Sequence, residues 1–104
     1  MNRPADVVAD PPSTFLVECY WPGIDLGQLR AMLPRLDAAA RTLTAEGTPV
    51  VHLGSILMPV DEVVFSLISA ADEGIVRHLN ERAGIPVDRI AAAVALLTPP
   101  TRTR

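Results

Sequence analysis

A chain of 104 residues, 49% hydrophobic and 20% charged, has enough material for one core and too little for two. Its basic residues are all arginine and are outnumbered by acids to a net charge of −3, so lysine Schiff-base chemistry and lysine-based phosphate loops are excluded. Arginines from Arg30 to Arg89 alternate with acids and form no basic block, and the aromatic residues are only Phe15, Tyr20, Trp21 and Phe65; no nucleic-acid partner is expected.

The opening segment MNRPADVVADPPST lacks the apolar run of a signal peptide and reads, over residues 1–13, as an extended or disordered arm. TFLVECY then has the β-branched and aromatic character of a strand and stops at Trp21-Pro22-Gly23, a turn signal. Its Cys19, the only cysteine, can form no internal disulfide, and the chain reads as cytoplasmic. Asp25 followed by Gln28 is a variant capping box that opens a helix. Leu26, Leu29, Leu33, Leu36, Ala40 and Leu43 lie on one stripe of that helix, and Gly47 ends it. Pro34 falls inside the pattern and is expected to kink the helix or displace its start.

Residues 49–58 and 62–69 predict two strands joined through a turn at Pro59 to Asp61. Asp72 is placed to cap a second helix that buries Ile75, Val76, Leu79 and Ala83 and ends at Gly84 before Pro86. Arg89 to Leu97 predicts the last strand. The apolar run within it, Ile90 to Leu97, is far below the ~20 residues of a membrane span, so no membrane partner is expected. Residues 99–104 read as a flexible tail after a domain spanning 14–98. The order βαββαβ predicts an α+β, ferredoxin-like domain: a four-stranded antiparallel sheet with two helices on one face.

Two helices cover one sheet face only, yet the strands are apolar on both. Val63, Phe65 and Leu67 alternate with Val64, Ser66 and Ile68, and RIAAAVALL carries no polar position after its first residue. An uncovered apolar face of this size exceeds what a monomer usually exposes, so a homodimer packed sheet to sheet, a dimeric α/β barrel, is expected.

The stretches FLVECYWPG, VVHLGS, DEVVFSLISA and above all HLNERAGIPVDRI resemble a family of small actinobacterial proteins whose described relatives are nickel-binding proteins. The resemblance covers roughly Thr14 to Leu97. It implies a ferredoxin-like dimeric barrel that binds nickel or another divalent transition metal, with His52 early in the second strand and Glu18 in the first as ligands. At two further ligand positions of some relatives, a third-strand cysteine and a second-helix histidine, this chain has Ser66 and Leu79.

Read from the residues alone, His52 is open to three roles: a hydrogen-bonded structural or cavity-lining side chain, a metal ligand, or a general base. Glu18 shares strand parity with Leu16 and Tyr20. It is either a ligand or proton acceptor, or the structural partner of an arginine. Cys19 has the opposite parity and reads as buried filler, His78 as a solvated helix residue, and Tyr20 and Trp21 as a pocket rim or a hydrophobic plug. Asp61-Glu62 and Asp72-Glu73 read as turn and helix-start acids, and no Ser-His-Asp order stands out. Three functions follow: a metal- or small-ligand-binding dimer; a small dimeric-barrel enzyme such as a cofactor-independent monooxygenase or isomerase, using Glu18 or His52 to move a proton; and an interaction module without catalysis.

Overall fold

A computed structural model describes residues 13–94 and residue 96. Strand β1 spans Ser13–Tyr20, helix α1 Leu26–Ala45, β2 Val50–Met58, β3 Val63–Ala70, α2 Glu73–Ala83 and β4 Arg89–Ala93. The strands form one antiparallel sheet in the order β2-β3-β1-β4, the ferredoxin-like βαββαβ arrangement. Both helices lie against one face. Among the described residues no helix is long and apolar enough to cross a membrane. The arm expected over residues 1–13 and the tail over 99–104 lie outside the described residues, except for Ser13, which opens β1.

Helix α1 begins as its sequence requires. The Asp25 carboxylate accepts from Gln28 N at 2.8 Å, and the Gln28 side chain accepts from Asp25 N at 2.9 Å, a complete capping box. The expected kink or displaced start at Pro34 does not appear as a break: α1 is one helix over twenty residues, with Pro34 inside it and exposed. Its missing N–H costs one backbone bond, which the buried stripe of Leu29, Met32, Leu36, Ala40 and Leu43 outweighs. Leu26, expected on that stripe, is half exposed, and Met32 takes its place in the core.

Helix α2 starts at Asp72, whose carboxylate accepts from Ile75 N at 2.9 Å, and buries Val76, Leu79, Asn80 and Ala83. It ends on Gly84 in the left-handed conformation at φ 72°, with Ile85 N bonded back to Asn80 O. A methyl group at Gly84 would touch nothing within 4 Å, so the whole effect of Gly84→Ala is conformational. The substitution is expected to lower stability by about 1 kcal/mol in urea unfolding, with the slope of the transition unchanged.

Strand limits differ from the reading of the sequence by one residue at the starts of β1 and β2 and at the end of β3, and two further differences bear on the fold. Glu62 belongs to the β2–β3 turn, not to β3, and holds a positive φ of 56°. Its backbone oxygen accepts from Trp21 N at 2.8 Å and its carboxylate from Gly23 N at 2.7 Å, so this turn fixes the exit of β1. Strand β4 ends at Ala93, short of the expected Leu97. Its partner β1 offers a register only from Glu18 opposite Arg89 to Thr14 opposite Ala93, and Val94 and Leu96 beyond it are exposed.

The core lies between sheet and helices. Phe15, Val17 and Cys19 from β1 and Val64, Ile68 and Ala70 from β3 meet Leu36, Leu43, Val76 and Leu79. The other sheet face carries Leu16, Glu18 and Tyr20 of β1, Val63, Phe65 and Leu67 of β3, and Arg89 and Ala91 of β4, and among the described residues no element lies over them.

Candidate functional site

Strict alternation along β2 would put His52 on the same face as Gly54, Ile56 and Met58, with Ser55 on the other. The register shifts between His52 and Gly54, however: His52 pairs with Ile68 and Gly54 with Leu67, leaving Leu53 as an extra residue. This bulge reverses the parity of everything after it. Val50, His52, Ser55 and Leu57 all face the helices, while Val51, Ile56 and Met58 face outward. A glycine inside a strand is a bulge signal, and Gly54 supplied it.

The reversal brings two serines and a histidine together beneath α1. His52 Nδ1 lies 2.9 Å from Asp37 Oδ1, His52 Nε2 lies 2.9 Å from Ser55 Oγ, and Ser55 Oγ lies 2.6 Å from Ser66 Oγ. A carboxylate only accepts, so Asp37 requires the proton of a neutral His52 on Nδ1. Nε2 then accepts from the Ser55 hydroxyl, and Ser55 Oγ accepts from Ser66. The whole chain of bonds runs in one direction, from the buried Ser66 to the half-exposed Asp37. The side chain of His52 is 7% exposed. The sequence singles out neither Asp37 nor Ser55 and marks Ser66 only as the residue at a relative's cysteine position; the structure sets Asp37, His52 and Ser55 in hydrogen-bonding order.

Glu18 stands on the opposite face of the sheet. Its Oε1 lies 3.5 Å from Arg89 Nη1, its cross-strand neighbour, in the ion pair that the alternative reading allowed. The β1–β4 sheet therefore separates the two proposed metal ligands, and a single ion cannot touch both within one chain. Both ring nitrogens of His52 are already engaged, and Ser66 and Leu79 are buried on the helix side. Among the described residues no three His, Cys, Asp or Glu side chains converge as metal donors. Within the described residues of one chain, the two ligands that the resemblance implies do not share a site.

A cavity of about 550 Å³ opens between α1 and β2, lined by Ala40, Ala45, Val50 and Val51 together with Asp37 and His52. A second, of about 400 Å³, has Tyr20, Trp21, Arg35, Ile85 and Pro86 in its wall, so the aromatic pair rims a pocket. His78 is exposed on α2, 3.9 Å from Glu81.

Cys19 is buried on the helix side of β1. Burial pushes its thiol above the ordinary value of 9.0, and the Asp88 carboxylate adds to the shift. Because the folded chain holds this proton more tightly, its stabilising effect is complete below about pH 9 and is lost as pH rises beyond it. Iodoacetamide at neutral pH is expected to spare Cys19 in the native protein and to modify it rapidly once urea unfolds the chain.

No family model and no curated protein matches this chain. It is similar in structure to SCO4226 from Streptomyces coelicolor A3(2), with a TM-score of 0.70 and 19% sequence identity over 82% of this chain and 100% of that one. At that identity the likeness shows the fold alone.

Proposed function

We propose that the protein acts as a homodimer joined sheet to sheet, with a small ligand held between the sheets beside Glu18 and Arg89. The observation that supports this is the sheet face away from the helices, where Ile56 and Met58 of β2 are 58% and 40% exposed among the described residues and Glu18 pairs with Arg89 at the β1–β4 edge. Large apolar side chains gathered on one surface favour burial by roughly 25 cal/mol for each Å² removed from water. A twofold interface must be self-complementary, and this face carries one acid and one base on neighbouring strands. A second copy rotated by half a turn can set Arg89 against Glu18, which an unrelated apolar partner would leave unmatched.

The same pair is suited to orienting a ligand. At 3.5 Å the contact is long and uses one arginine nitrogen, so Arg89 keeps donors for an anionic or carbonyl group. The ligand class is therefore a small molecule with an apolar body and one acidic or carbonyl end. A single buried cysteine is compatible with a reducing compartment, and a cytoplasmic setting belongs to this proposal. Sedimentation equilibrium at micromolar concentration tests the dimer. Twice the chain mass of 11.1 kDa is expected, and a single species at 11.1 kDa would rule it out.

A further inference from the structure

We propose that Ser55 is a nucleophile activated by His52 and Asp37, and that the α1–β2 side of the domain transfers acyl groups from small carboxylic esters. The site is separate from the sheet face of the dimer and does not depend on it. Its geometry is that of a nucleophile, a base and an orienting acid: 2.9 Å from Ser55 Oγ to Nε2 and 2.9 Å from Nδ1 to Asp37. Asp37 fixes the tautomer that leaves the Nε2 lone pair aimed at Ser55. The order of such residues along the chain differs between unrelated folds, so Asp37, His52, Ser55 is no obstacle.

Four further features separate this arrangement from a histidine merely satisfied in a core. Ser55 meets His52 only because β2 contains an extra residue; in a regular strand the two would face opposite ways. Ser66 is 5% exposed and bonds to Ser55 Oγ, whereas Ser55, next to the base, is a partly exposed residue. Among the described residues, strand β2 is an edge that pairs only with β3, so its outer side faces no other strand. Asp37 and His52, though not Ser55, are in the wall of the cavity of about 550 Å³, where Ala40, Ala45 and Val50 stand beside Arg41 and Thr44 and leave room for a short acyl chain.

In the reaction, Ser55 Oγ bonds to the ester carbonyl carbon while His52 Nε2 takes the serine proton. The carbon–oxygen bond to the leaving group then breaks, and the alcohol departs with that proton. Water repeats the sequence, giving up a proton to Nε2 as it attacks the acyl-serine, and regenerates Ser55 with release of the acid.

A fluorophosphonate probe tests the proposal on the full chain, because its phosphorus bonds to an activated serine with loss of fluoride. Intact-mass and peptide mass spectrometry are expected to find one adduct, on Ser55. It should be absent in Ser55→Ala and should form about 100-fold or more slowly in His52→Gln and Asp37→Asn. Ser69→Ala, on the open sheet face, should react like the wild type. No adduct on the wild-type chain after prolonged exposure to excess probe would overturn the proposal, as would an adduct on another residue or equal rates in both the His52 and Asp37 variants.

Discussion

Ile56→Asp is expected to give a folded chain that no longer self-associates. Ile56 is 58% exposed in the single chain, so a carboxylate there loses little solvation and the fold should be stable to within about 1 kcal/mol. In a sheet-to-sheet dimer the same position is buried, and twofold symmetry places the new charge there twice. Each unpaired carboxylate taken out of water costs several kcal/mol, so the dissociation constant should rise by about 10³-fold or more. Light scattering at micromolar concentration should find a monomer with the circular dichroism of the wild type. A dimer of unchanged affinity would mean that this face is not the interface.

The largest expected effect on stability comes from the other side of the sheet. Leu36 is fully buried at the middle of α1, within the cluster that includes Ile68, Val76 and Leu79. Leu36→Ala removes its contacts and leaves a cavity that neighbouring helices, held by Arg82–Glu46 and Arg35–Ala83 O, cannot readily close. A loss of about 2–5 kcal/mol is expected, a large part of the roughly 5–15 kcal/mol typical of a domain. Urea unfolding at one fixed protein concentration checks it, since coupling to dimerisation would otherwise shift the midpoint. A loss below about 1 kcal/mol would show that α1 is not anchored through this residue.

The elements were legible because their signals are local. Asp25 and Gln28 form their capping box three residues apart, Gly84 and Pro86 end α2 in the same way, and the two-sided apolar character of β3 marks an uncovered face. The site was not, because it depends on a one-residue event. His52 and Ser55, three apart in a strand, fall on opposite faces unless a bulge intervenes, and the register shift before Gly54 decides the matter. Asp37 reaches His52 from α1 across fifteen residues, a tertiary distance that no spacing encodes. Glu18 could be read only as far as two alternatives, because its partner Arg89 lies seventy-one residues away and becomes a neighbour through the β1–β4 register. The family resemblance paired Glu18 with His52, and it is again strand parity, here the face of β1 against the face of β2, that separates them.

Coverage of the open face can be read side chain by side chain by hydroxyl-radical footprinting of the native protein, with the urea-unfolded chain as the reference for intrinsic reactivity. Val60, 94% exposed at the tip of the β2–β3 turn, serves as the internal standard for a free side chain. Oxidation of Ile56 and Met58 suppressed about fivefold or more relative to Val60 is the result expected of a sheet-to-sheet dimer. If these two oxidise in proportion to their 58% and 40% exposure in the single chain, the face is open in solution and the dimer is contradicted.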